Sequence, residues 1–91
     1  LAHQLRGGTL TDAEVETCRI DDDSPARGKT LAEIALRSRT GASVIAWTRA
    51  GLTQWNPPEK TRLMADDVVA LLGSRAQIRQ AVGLLVQTGS K

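Results

Sequence analysis

The chain has 91 residues and a formal net charge of +2, enough for one domain whose small core buries only somewhat more than about 60% of the unfolded surface. So small a charge excludes affinity built on neutralising nucleic-acid phosphates, and neither DNA nor RNA is expected as a partner. A single cysteine, Cys18, excludes an internal disulfide and a thiolate metal cage, and the absence of Phe and Tyr leaves Leu, Ile, Val and Ala to fill the interior around Trp47 and Trp55.

In chain order, residues 1–13 place Leu1 and Leu5 at helical spacing before Gly7 and Gly8, which predicts the tail of a connecting helix and a flexible linker. Residues 14–20 are rich in β-formers and run into Asp21, Asp22 and Asp23, then Ser24 and Pro25, so a strand followed by a polar turn is expected. Thr30 with Glu33 fits a capping box, which starts a helix at Leu31. Leu31, Ile34 and Ala35 form an apolar stripe for that helix to lay on a sheet, and Gly41 permits a turn closed to other residues.

Ser43–Arg49 is apolar on both faces through Val44, Ile45, Ala46 and Trp47, the pattern of a central strand covered on both sides. Ala50 and Gly51 supply a tight turn into a hairpin partner, Leu52–Trp55, which ends at Asn56, Pro57 and Pro58 because proline cannot donate to a ladder. Leu63 anchors a short crossover. Asp66 and Asp67 lead into a second buried run at residues 68–72, closed by Gly73. Ser74 with Gln77 repeats the capping box, and Ile78, Ala81, Val82, Leu85 and Val86 share one face of a final helix, followed by a tail at 89–91.

Catalysis has little to draw on. The sole imidazole, His3, lies in the first segment, and no Cys, Ser or Lys has a base near it; no enzyme and no cofactor are expected. The carboxylates of Asp21, Asp22 and Asp23, and of Asp66 and Asp67, alternate in direction along extended chain, which favours solvated acidic turns over a cage for a hard cation. Cys18 suits a small buried hydrophobe. Trp47 and Trp55, on adjacent strands of one hairpin, suit cross-strand packing in a core or a dimer.

Charge is distributed unevenly. Over residues 24–55, Arg27, Lys29, Arg37, Arg39 and Arg49 stand against Glu33 alone, a balance that suits a small anion better than a polymer. In the turn over 37–43, Arg37 and Arg39 offer forked donors, Ser38 and Ser43 offer hydroxyls, and Gly41 allows close backbone approach. Two arginines complementing the negative end of a helix explain the same pattern without any ligand. With no initiator Met and no apolar run of about 18 residues, the chain reads as part of a longer protein whose membrane connection lies elsewhere.

Gly28, Lys29, Thr30 and Leu31, then Leu36, Arg37, Gly41, Val44, Ile45 and Ala46, resemble the core pattern of the TrkA C-terminal family, the C-terminal half of the RCK domain that regulates potassium conductance. Pro57 and Pro58, Leu63, Asp67, Val69 and Gly73 continue the pattern in order, with Asp66 where it carries Gly. The resemblance covers residues 14–86 and sets a regulatory domain at 14–88. It implies an α+β fold, a small mixed β-sheet in the order β-α-β-β-β-α with helices packed on it, and a homodimer.

The resemblance also implies a cytoplasmic ligand-sensing domain on the inner face of the plasma membrane, partnered with a membrane-embedded potassium or other monovalent-cation transporter. The stretches 74–80 and 46–47 look most like versions attached to cation:proton antiporters of the glutathione-regulated efflux type. In family members that bind cyclic di-AMP, the nucleotide lies at the dimer interface. Carried onto this chain, the ligand-binding positions are Leu31, Arg37, Ser38, Ser43, Val44, Pro57 and Pro58, with Arg39 in the same turn and Ser43 where such binders carry a longer amide side chain. A dimer that holds transporter subunits together without a ligand is the alternative.

Overall fold

A computed structural model of the chain describes residues 13–86. The connecting segment expected over 1–13, with His3, lies outside the described residues apart from Ala13, as does the tail at 89–91. The elements in order are strand β1 (Glu14–Arg19), helices α1 (Leu31–Ile34) and α2 (Leu36–Thr40), strands β2 (Ser43–Arg49), β3 (Leu52–Trp55) and β4 (Val68–Gly73), and helix α3 (Arg75–Leu85).

The strands form one sheet in the order β1-β4-β2-β3, and every neighbouring pair is antiparallel. The α+β architecture is as expected, but the sheet is antiparallel rather than mixed. β1 and β2 do run parallel, yet β4 inserts between them, and β2 in turn separates β3 from β4. Both crossovers therefore skip a strand, and no parallel ladder forms.

The helices lie against one face. Cys18, Val69 and Leu71 from the sheet pack with Ile34, Leu36, Ile78, Ala81 and Leu85 from the helices, and Ile20 and Leu63 close the cluster from the connections. Each large apolar side chain fully buried there contributes about 1.5–3 kcal/mol. The opposite face carries Val15, Leu72 and Trp55, which are 60%, 38% and 68% exposed. β2 is central but not covered on both sides: of its residues only Ala46 is buried.

The tryptophans do not pair. The register sets Trp55 opposite Ala46 and Trp47 opposite Gln54, which sends the two rings to opposite faces because side chains alternate along a strand. Trp47 packs against the core and Trp55 is exposed. The turn between their strands is as expected, with positive φ at Ala50 (53°) and Gly51 (81°), the pairing that a two-residue hairpin requires.

Both capping boxes form, Thr30 with Glu33 at α1 and Ser74 with Gln77 at α3. The helix expected from Leu31 is nevertheless broken at Ala35, which adopts the left-handed conformation at φ 55° and ψ 44°. A continuous helix would place Ile34 and Leu36 about 200° apart around its axis. The break turns both into the core, each only 4% exposed. Burying Leu36 stabilises by about 1.5–3 kcal/mol, against about 1–2 kcal/mol for a left-handed residue bearing a Cβ, so burial wins narrowly. Ala35→Gly removes that penalty at a smaller entropic cost and is expected to raise the unfolding free energy by about 0.5–1 kcal/mol. Urea denaturation measures it; a loss of stability would count against a left-handed Ala35 in solution.

Candidate functional site

A cavity of about 530 Å³ opens between α1, α2, the start of β2 and the segment after β3. Six of the eight residues singled out from the sequence line it: Leu31, Arg37, Ser38, Ser43, Val44 and Pro57. Arg39 and Pro58 do not. Arg39 Nη1 donates to the Ile34 carbonyl at 3.2 Å, closing the carbonyl end that the break at Ala35 leaves free. The Pro58 carbonyl accepts from the Thr61 N–H at 3.0 Å, so this proline shapes the loop behind the cavity.

Local chemistry sets the walls. The start of α1 is tied to the segment after β3 by Leu31 N–H to the Thr61 carbonyl and Ala32 N–H to the Glu59 carbonyl, both at 2.9 Å. A bulge between Val44 and Ala46 shifts the register of β2, and the Ile45 carbonyl exposed there accepts from the Asn56 N–H at 2.8 Å. That bond holds Pro57 over the mouth. At the other end Gly41, at φ 87°, stops α2 with its N–H on the Arg37 carbonyl.

Ala32, Ala35, Leu36 and Glu59 complete the lining, and sequence reasoning had singled out none of them as a site residue. Leu36 was the available signal, since it falls outside the stripe made by Leu31 and Ile34. The result is an apolar-walled cleft with one cation, Arg37, one anion, Glu59, and the hydroxyls of Ser38 and Ser43. Ser38 Oγ donates to the Ala35 carbonyl at 3.2 Å. Such a surface suits a ligand with a flat apolar body and a few polar groups.

Toward the other end of β2 lies a node that the reading of Asp66 and Asp67 as a solvated turn missed. Asp67 is 1% exposed. Its carboxylate accepts from Arg49 Nε and Nη2 at 2.8 Å, from Trp47 Nε1 at 3.0 Å and from the Met64 N–H at 2.8 Å. The Arg49 guanidinium sits 4.8 Å from the centroid of the Trp47 ring. Asp66 is the solvated member: it pairs with Arg19 and takes φ 75°, the conformation for which glycine is the usual choice.

Asp21 is engaged by Arg19 at 3.1 Å, and no three His, Cys, Asp or Glu side chains converge as a metal site among the described residues. Cys18 is buried, and burial, with Asp21 and Glu16 nearby, pushes its thiol up from the ordinary value. Among the described residues no helix is long and apolar enough to cross a membrane.

An antiparallel sheet with one helical layer and a charged cleft at the start of its central strand defines a small α+β domain of recurrent type. The TrkA-C domain family matches residues 15–85, and the chain belongs to that family. It is similar to the RCK C domain of the potassium transport protein KtrA, solved in complex with cyclic di-AMP, with a TM-score of 0.71, 14% identity, and coverage of 80% of this chain and 84% of that one. It is similar also to the RCK_C domain dimer of S. agalactiae BusR in complex with cyclic di-AMP, with a TM-score of 0.72, 18% identity, and coverage of 78% and 93%; BusR has also been solved with its busAB promoter DNA. The GsuK RCK domain gives a TM-score of 0.65 and 25% identity over 90% of this chain but 19% of that one. No curated protein matches the chain.

Proposed function

We propose that this is a ligand-sensing regulatory domain of a potassium or other monovalent-cation transporter or cation:proton antiporter. It works as a homodimer on the cytoplasmic side and binds a small anionic effector, with cyclic di-AMP the first candidate, in the cavity bounded by α1, α2 and β2. The observation that carries this reading is the Arg37 guanidinium, which has no hydrogen-bond or ion-pair partner among the described residues and lines an apolar-walled cavity. Two chains sharing the fold were solved with cyclic di-AMP.

The chemistry fits. Arginine meets a phosphate with two parallel charge-assisted hydrogen bonds, while Leu31, Val44 and Pro57 offer apolar contact to a base. A two-fold dimer presents two copies of Arg37 to a ligand that is itself two-fold symmetric. Regulation then follows from differential affinity for two arrangements of the dimer. No DNA contact is proposed for these residues, because a net charge of +2 supplies little phosphate neutralisation.

Calorimetric titration of the chain with cyclic di-AMP is expected to show saturable binding at one ligand per two chains. Arg37→Ala should weaken it about tenfold or more, the worth of a hydrogen bond to a charged group, and leave thermal unfolding unchanged because the side chain holds nothing else. If no adenine nucleotide binds saturably at millimolar concentration, the reading is overturned.

A further inference from the structure

Among the described residues, Glu59 is the one acidic residue lining the cavity. Its backbone carbonyl, accepting from the Ala32 N–H, seats it against the first turn of α1, and the residue is exposed. Among the described residues, neither the Glu59 carboxylate nor the Arg37 guanidinium makes an ion pair, with each other or with any other group. Two opposite charges therefore line one cleft without neutralising each other. A ligand that carries only negative charge gains at Arg37 and is repelled at Glu59, so the cleft favours a ligand with two different ends.

We propose that Glu59 is a specificity-determining residue of this cavity, its carboxylate accepting N–H donors from an amino-bearing nucleobase while Arg37 holds the phosphate. This rests on the nucleotide reading above and narrows it. An ionised carboxylate is an acceptor only, so it discriminates by the partner's hydrogens: an exocyclic amine satisfies it, whereas a base edge carrying only lone pairs leaves it desolvated and unpaired. Serine hydroxyls at positions 38 and 43 cannot make that distinction, because each can both donate and accept.

The test is a calorimetric comparison of cyclic di-AMP with its analogue carrying unsubstituted purine bases, which lacks the exocyclic amines. The intact chain should bind cyclic di-AMP about tenfold tighter than the analogue, the low end for a hydrogen bond to a charged group because the site is open to water. Glu59→Ala should bind the two nucleotides alike and melt as the unsubstituted chain does, since only the backbone of Glu59 is used in the fold. Equal binding by the unsubstituted chain, or a tenfold preference that survives Glu59→Ala, overturns the inference while leaving the nucleotide reading in place. Saturable binding of neither nucleotide overturns both.

Discussion

Asp67→Ala is expected to lower the unfolding free energy of this domain by about 3 kcal/mol, the largest effect of any single polar substitution in it. The Asp67 carboxylate gathers Arg49, Trp47 and the Met64 N–H at one almost fully buried point, so removing it strands four N–H donors from two parts of the fold, β2 and the connection before β4. Arg49 is 45% exposed and can turn back to water, which keeps the loss below the upper range for broken buried pairs. The Trp47 N–H, on a ring packed against the core, has less recourse to water. For a domain this small each kcal/mol moves the midpoint by roughly 4–8 °C, so the variant should melt roughly 12–24 °C lower. Asp67→Asn, which keeps the shape and one acceptor oxygen but not the charge, should lose less. A shift of only a few degrees for Asp67→Ala in a thermal melt would show that the node is not holding the fold.

The same node sets an acid limit. Burial pushes the Asp67 carboxyl up, but hydrogen bonds from Arg49, Trp47 and Met64 and the charge of Arg49 outweigh it and hold the group below its ordinary value. With the folded value depressed, the stabilisation is complete above the unfolded value of about 3.9 and is lost as pH falls through the folded value. The stability difference between the unsubstituted chain and Asp67→Asn should therefore be constant near neutrality and shrink below about pH 4.

Gly41→Ala is expected to cost about 2–3 kcal/mol, the second-largest effect. Part is backbone: φ is 87°, a region where a Cβ costs about 1–2 kcal/mol. The rest is a collision, because a Cβ at Gly41 would lie 2.5 Å from Gln77 Nε2 and 2.9 Å from its Cδ. Gln77 cannot yield freely, since its Oε1 accepts from the Ser74 N–H at 2.9 Å as the cap of α3. Displacing it forfeits a cap worth about 1 kcal/mol. Gly51→Ala is the control, with φ 81° and nothing within 4 Å of the added carbon. Urea denaturation of the two variants separates the terms; equal losses would mean that Gln77 moves aside at no cost.

Much of this was readable along the chain because the determinants are close together in it. A capping box needs a hydroxyl and an acceptor three residues apart, and both boxes form where Thr30 and Ser74 place them. The hairpin turn needs two adjacent residues at positive φ, and Ala50 and Gly51 supply it. The cavity was half visible for the same reason: Leu31, Arg37, Ser38, Ser43 and Val44 come from one continuous helix-turn-strand passage whose pattern marks the family.

What the chain could not announce arises from contacts between distant segments. Strand order is one case, since nothing near β1 states that β4 will come between it and β2. The bulge that shifts β2 against β4 is another; the separation of the two tryptophans, by contrast, follows locally from the two-residue turn that pairs Arg49 with Leu52 and so Trp47 with Gln54. Asp67 looked like half of a solvated pair until folding brought Arg49 and Trp47 to it across 18 and 20 residues. Ala35 gives up its helical conformation because Leu36 finds a core that only the assembled sheet provides, and Glu59 enters the cavity through a backbone bond to Ala32. Local propensity chose the elements; burial and the pairing of charges, which act between residues far apart in the chain, chose how they meet.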